Sequence, residues 1–581
     1  MSARFDPRRR RIVQAFGAAG LLSGCCIAPV DRIGDAQCQE QVRTFLDGVP
    51  GAPIAIDAHC HIFNGHDVDV EGYIRYPIAN DAKTTKEKEL LETAAAPVAG
   101  LICAMAPSAA QEYDALCGKF GWPRLTSSIE AADTLYDLSV ERRESRKRRF
   151  AEEFARQLRG TDFKARYEGF LVPGRERDHG FERRSSDPGG RDFTTQEILK
   201  IMDLDGDDGP RSLVTTLLEA GVDPRGVFRL AYRLSSYRFD NLLELMRKYG
   251  HTDSAPGVSV FLPALVEFNR WLVKDETGAV LEDQIKLMEL INVMTGGRVL
   301  PIVAYNPWTD VVTDAHFKLV QDAVMNRGFI GVKIYPSAGF TPINNGPDTF
   351  CDNPPPAADL ARFATALNGK LTRFWAWCTT EKVPVMMHTG FSRGRCLKSV
   401  QNTRPELWQQ VVDVNYGVPL HLGHFGGDTE YANGDGHQWA KAYIALMGKP
   451  GGSNVYTDTG FWDSLLKGES GPQEFLQSIV RDTTGARRLM YGSDYQMLVY
   501  AAHWGHYPDA VSRMIDGAHL GKHTPVVRNA VFFENAVRLY GLHRDGKGRH
   551  RIKTFFDNQK KQYGGQVHMS NWFDRADSVS P

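Results

Sequence analysis

Ile54-Ala-Ile-Asp57-Ala-His59-Cys60-His61 is the stretch on which the reading of this chain turns. Its first half is short and β-rich, and its second half carries two imidazoles spaced two residues apart. Side chains alternate across a strand, so His59 and His61 point one way while Cys60 points the other. Two imidazoles at one strand end can hold a single divalent ion. A lone pair of this kind is weak by itself, since such spacings arise by chance, and its weight depends on the rest of the chain.

Seven further short β-rich runs follow, at 258–262, 299–304, 329–335, 383–387, 418–422, 454–458 and 488–492. Helical patterns such as 281–294, 309–327 and 356–381 separate most of them. Short buried strands alternating with helices read as βα units around a parallel sheet. Eight such units predict an α/β chain folded as a (β/α)8 TIM barrel, whose active site lies at the C-terminal ends of the strands. The interval 64–257 is far too long for a βα loop. Helical patterns at 84–96, 128–158, 194–202, 213–220 and 240–249 predict a large, mostly helical insertion between the first and second strands. The barrel is therefore expected over 53–63 and 258–545, with a C-terminal extension at 546–581.

Later strand ends repeat the chemistry of the first. Val385-Met-Met-His388-Thr-Gly closes the fifth strand, Leu420-His-Leu-Gly-His424-Phe-Gly-Gly the sixth, and Tyr491-Gly-Ser-Asp494 the eighth. With these residues in this order, the sequence resembles the amidohydrolase superfamily, most closely its amidohydrolase-2 branch. That branch includes aminocarboxymuconate semialdehyde decarboxylase, related aromatic-acid decarboxylases and lactone hydrolases. The resemblance covers about 54–63 and 258–542, and includes Gly331-Val-Lys-Ile-Tyr-Pro336 and Asn535-Ala-Val-Arg-Leu-Tyr-Gly541. The inserted region has no counterpart in it.

The resemblance implies that His59, His61 and His388 are neutral imidazole ligands and that Asp494 is an acidic ligand or general base. Three His and a carboxylate suit one divalent ion, Zn²⁺ above Mn²⁺, Fe²⁺ or Co²⁺, with a position left for water. Such an ion lowers the pKa of its water to about 7. Asp494 would accept the proton and His424 would polarise a substrate oxygen. Lys333 has the strand parity to enter the barrel, where it would touch substrate or the residues around the ligands; a purely structural role is the main alternative and a bridging carbamate the minor one. Arg393 and Arg395 follow His388 in a loop and suit a carboxylate, although a solvated loop is the favoured account of them. His421, opposite in parity to His424, is expected to face the helix layer.

Composition bounds the remainder. The 581 residues are 42% hydrophobic and 24% charged, as in a soluble enzyme. A net charge of −1 lends nothing to nucleic-acid binding. No GxSxG, P-loop or dinucleotide fingerprint stands in a strand-to-helix setting, which removes support for serine hydrolysis and nucleotide chemistry. At the N-terminus, Arg8 to Arg11 precede a short apolar run, and Leu22-Ser-Gly-Cys25 resembles a bacterial lipoprotein cleavage box. Residues 1–24 thus read as a signal peptide of twin-arginine character and 25–52 as a tether. Cys25 is the expected lipidated residue, anchoring an exported protein at the periplasmic face of the cell envelope.

Of nine Cys, Cys103 with Cys117 and Cys378 with Cys396 are near enough in sequence to pair in an exported protein. No CxxC occurs among the eight beyond Cys25, which argues against thiolate zinc sites. Asp203-Leu-Asp-Gly-Asp-Asp-Gly reads as an acidic turn, because Asp208 takes the glycine position of a calcium loop and Val214 its last ligand position. The basic run 141–149 reads as a solvated helix face. The expected function is metal-dependent hydrolysis of a C–O or C–N bond in a small molecule. Non-oxidative decarboxylation of an unsaturated or aromatic acid is the runner-up, and a non-catalytic binding protein on the same barrel the third. A homo-oligomer is allowed, and the only membrane contact expected is the lipid anchor.

Overall fold

The computed structural model describes residues 54–79, 85–120, 132–159, 195, 196, 198, 199, 224–272, 279–350, 357–390, 394–428, 437–563, 567 and 569–581. The signal peptide with Cys25, the tether, the acidic turn at 203–209, the helix expected at 213–220 and Arg393 lie outside these residues.

Eight strands form where the short apolar runs stand: β1 (Ala55–Cys60), β2 (Val258–Pro263), β3 (Ile302–Ala304), β4 (Gly331–Ile334), β5 (Val385–His388), β6 (Leu420–Gly423), β7 (Val455–Asp458) and β8 (Leu489–Met490). The fold is α/β with parallel pairing throughout. β1 pairs with β2, and β3 to β8 pair in sequence order. Single bridges join Phe261 to Val299 and Ala264 to Ile302, so β2 meets β3. Another joins Cys60 to Tyr495, and Ala58 N–H donates to Tyr491 O at 3.0 Å, so the chain around β8 returns to β1. Every strand thus has its sequence neighbours beside it, and the last meets the first.

Registers decide which side chains share a face. Ala304 stands opposite Lys333, Lys333 opposite Met386, Met386 opposite His421 and His421 opposite Tyr456. Met386 and Tyr456 belong to a buried cluster with Ile56, Val260, Ile302 and Met490, which is the inner face of the strands. Tyr540, Phe555, Trp572 and Phe573 from the C-terminal segment complete that same cluster. Val332, Val385, Leu420 and Val455 point the other way, into the helix layer with Ile285, Leu367 and Val411. Each large apolar side chain buried in this way contributes roughly 1.5–3 kcal/mol.

His421 therefore faces inward, contrary to the parity argument. That argument assumed an unbroken strand as far as His424. The strand ends at Gly423, and His424 (φ 71°) and Phe425 (φ 52°) turn in the left-handed region, so alternation is lost between them.

The helix expected at 309–327 is two helices, Pro307–Thr313 and His316–Asn326, broken where Asp314 takes φ 52°. Between β1 and β2 the described residues hold helices Thr85–Met105, Ala109–Phe120, Ala132–Arg159, Pro224–Leu234 and Arg238–Gly250. Buried Arg238 ties this region to the chain following β1. It grips Asp67 through Nε and Nη2, both at 2.8 Å, and donates to Glu112 at 3.0 Å and Asn64 Oδ1 at 3.0 Å. Arg229 donates to Val499 O at 3.0 Å and Ala501 O at 3.2 Å, in the segment that follows β8.

The basic run is only partly a solvated face. Arg143 is buried, and Arg146 donates to Met105 O and Ser235 O, each at 2.9 Å, with its guanidinium over the Tyr237 ring. Of the two candidate cysteine pairings, that of Cys378 with Cys396 does not form. Cys378 is free on the buried side of its helix, Cys396 is disulfide-bonded, and the Cys103 thiol donates to Gly65 O.

Candidate metal centre

β1 delivers His59 and His61, and the turn after β8 delivers Asp494. That turn is set by the first strand. His59 O accepts from Ser493 N at 3.0 Å and from Asp494 N at 2.7 Å, while the Asp57 carboxylate accepts from the Ser493 N–H and hydroxyl at 3.0 and 2.5 Å. So held, Asp494 sits at φ 56°, a conformation a non-glycine residue adopts only when its surroundings enforce it. Burial pushes Asp57 up to about 7, even though these donors pull it the other way.

The ligand atoms of His59, His61 and Asp494 lie within 4.8 Å of one another, and all three residues are buried. Asp494 Oδ1 is 3.5 Å from His59 Nε2 and 3.3 Å from His61 Nε2. Ligands about 2.0–2.1 Å from a tetrahedral ion stand ~3.3–3.4 Å apart, so these spacings fit a shared metal. The opposite ring nitrogens are already committed: His61 Nδ1 lies 2.8 Å from Ala264 O, and His59 Nδ1 lies 2.7 Å from Asp458 Oδ2. A nitrogen hydrogen-bonded to a carbonyl or carboxylate carries the proton, which leaves a lone pair on each Nε2. Two imidazole lone pairs and a carboxylate then converge, the donor set of a Zn²⁺-type site.

Burial holds His59 down at about 3; Asp458 opposes this and Lys333 adds to it. Its ring is neutral at ordinary pH, as a ligand must be. Burial raises Asp494, but the neighbouring histidines, His424 first, outweigh it and bring the carboxyl to about 2. Three glycines make room for the His59 side chain. A Cβ on Gly423, Gly460 or Gly492 would come within 2.9, 2.8 and 2.8 Å of it.

His388, at the end of β5, faces the same space, although it stands outside the close triad. Its ring stacks on Tyr335 at 4.3 Å and lies 4.4 Å from that of His424, and its buried Nε2 has no hydrogen-bond partner among the described residues. An orphaned buried imidazole nitrogen is what an ion or a substrate atom would satisfy. His424 lies between, 4.6 Å from His59 by ring centroids, with Nδ1 3.1 Å from Gly460 O. Burial lowers both rings, His388 well below the usual imidazole value.

Lys333 Nζ reaches to 3.4 Å from His59 Nε2 from the inner face of β4, and burial depresses it to about 8 against the pull of Asp494 and Asp458. Arg395 is exposed. Sequence reasoning passed over Asp458 and misplaced His421. Asp458 ends β7 just as Asp494 follows β8, so the strand-end rule could have singled it out.

A family model described as Amidohydrolase matches residues 306–542, which include the ends of β4 to β8 and therefore Lys333, His388, His424 and Asp494. No curated protein matches the chain. Solved structures similar to it include a TIM-barrel protein from Bordetella bronchiseptica (13% identity, 54% of this chain and 88% of that one, TM-score 0.35). Another is a zinc-bound amidohydrolase from Burkholderia multivorans (15%, 52% and 87%, 0.34). A third is the 5-carboxyvanillate decarboxylase LigW from Sphingomonas paucimobilis (14%, 54% and 85%, 0.32).

Proposed function

We propose that this chain is a metal-dependent hydrolase of the amidohydrolase-2 family on a (β/α)8 barrel, with its helical insertion beside the site; the Amidohydrolase model's match to residues 306–542 supports the reading. The observation that carries the reading is the convergence of His59 Nε2, His61 Nε2 and Asp494 Oδ1, with each Nδ1 already engaged by an acceptor oxygen. His388 completes the proposed ligand set. A single divalent ion, Zn²⁺ on ligand type, would supply Lewis-acid activation of water or a substrate oxygen.

The chain's own residues divide the remaining work. Asp494, ionised and buried, accepts a proton at its carboxylate. His424, held by Gly460 O through Nδ1, presents its other nitrogen to a substrate oxygen. The cleaved bond is a C–O or C–N bond of a small molecule, with water as the second reactant. Lys333 supports a second reading. A buried ammonium beside the ligands can hold a substrate carboxylate, as non-oxidative decarboxylation of an unsaturated or aromatic acid requires.

Elemental analysis of the purified protein beside its His59→Ala and Asp494→Ala variants tests the site. One equivalent of metal in the parent and none in the variants is expected, and a metal-free parent that cannot be loaded would refute it. The Zn²⁺- or Mn²⁺-loaded protein, supplied with lactones, amides and aromatic acids, then separates the reactions. Hydrolysis incorporates ¹⁸O from labelled water, whereas decarboxylation releases CO₂. Binding of metal with no turnover of any of them favours a recognition protein.

We further read residues 1–24 as an export signal with lipidation at Cys25. The disulfide at Cys396 supports an oxidising compartment. Metabolic labelling with palmitate should mark the parent chain and spare Cys25→Ala; equal labelling of both would remove the anchor.

A further inference from the structure

We propose that Asp458 is the positioning residue of this centre: its carboxylate fixes the tautomer of His59 and the backbone turn at His424, with His421 and Tyr540 bracing it from below. The inference rests on the metal-site reading above. Each oxygen of Asp458 accepts two hydrogen bonds. Oδ2 takes His59 Nδ1 at 2.7 Å and His421 Nε2 at 2.6 Å, and Oδ1 takes the backbone N–H of His424 at 2.9 Å and of Gly460 at 2.7 Å. The Tyr540 hydroxyl lies 2.8 Å from His421 Nδ1. Tyr540 thus donates to Nδ1, and Nε2 keeps its proton for Asp458. Asp458 and His421 are fully buried, so no water replaces a lost partner.

The four donors are not equivalent. The two backbone N–H groups cannot become acceptors, whereas the two imidazoles can, by moving a proton from one ring nitrogen to the other. An amide in place of the carboxylate must turn its NH₂ toward one pair. Toward the backbone it would set donor against donor without relief, so it turns to the rings. His59 Nδ1 must then accept, its proton shifts to Nε2, and the lone pair facing His61 and Asp494 is lost. His59, His421 and Asp458 also crowd closely enough to suggest a second ion. Their 2.6 and 2.7 Å separations are hydrogen-bond lengths, well short of the ~3.3 Å between ligands of a shared tetrahedral metal.

Two measurements test this. In the metal-free parent, ¹⁵N spectra of His59 should show Nδ1 protonated and Nε2 bare. In a chelator competition with Co²⁺, Asp458→Asn, checked for folding by circular dichroism, should bind about 10–100-fold more weakly than the parent, with an altered visible spectrum. A parent His59 protonated at Nε2 would overturn the proposal whether or not the variant folds. So would a folded Asp458→Asn that matches the parent in affinity and spectrum. A parent that binds no Co²⁺ would overturn the metal site itself, while the ¹⁵N spectrum still reports on Asp458 separately.

Discussion

His61 spends one ring nitrogen on a backbone carbonyl and turns the other to a carboxylate, with Nδ1 2.8 Å from Ala264 O and Nε2 3.3 Å from Asp494 Oδ1. The carbonyl belongs to the end of the second strand and the carboxylate to the turn after the eighth, so this one ring spans the site. An ion held there binds the folded chain and not the unfolded one. At a thousand times its Kd it should raise the unfolding free energy by about 4 kcal/mol. His61→Ala should abolish that increment; denaturant titrations with and without Zn²⁺ would expose an increment that survives.

Gly492 lies under the His59 side chain, where an added Cβ would come 2.8 Å from His59 Cβ and 3.1 Å from Asp458 Cβ. Both neighbours are pinned by hydrogen bonds and cannot yield. Gly492→Ala should cost about 1–3 kcal/mol of stability and weaken metal binding together. Calorimetry and metal titration of the variant matching the parent would show that this packing has slack.

Burial raises Glu267 to about 7 from its ordinary 4.5, despite donors on Thr309, Asn306 and Asn269. The folded state therefore holds a proton that the unfolded chain releases sooner. The associated stability is present in full below about pH 4.5 and is lost as pH rises to about 7. The loss reaches about 3 kcal/mol. Glu267→Gln should match the parent in acid and outlast it increasingly toward pH 8 in urea titrations; parallel profiles would count against the shift.

Arg238 neutralises Asp67 and Glu112 in a fully buried site, and Gln284 also donates to Asp67 at 2.8 Å. Its removal leaves carboxylates in a medium that cannot solvate them, at a cost of about 3–5 kcal/mol. Arg238→Met should loosen the helices between the first two strands before the strands themselves. Proteolysis should then cut within 85–250 first, and a cleavage pattern like the parent's would contradict this.

Legibility in the sequence followed the range of the forces involved. The eight strands were readable because short apolar runs between helical patterns record local burial. That His59, His61, His388, His424 and Asp494 come together was readable because the C-terminal ends of the strands converge in such a fold. Asp458 sits at an equally telling position, yet its importance lies in partners from β1, β6 and the turn after β7, which no spacing along the chain records. His421 was misassigned because alternation was carried past Gly423, where the backbone turns. The packing of the inserted helices depends on Arg238, Asp67 and Glu112, charges distant in sequence that find one another only in the folded chain.

The inner layer of the strands is finished by aromatic rings that follow all eight strands along the chain, among them Trp572 and Phe573. Synthesis therefore leaves that floor open after the last strand has been made. A ribosome stalled before Trp572, or a premature stop there, would release a chain with every strand made and its lower hydrophobic surface bare, open to aggregation.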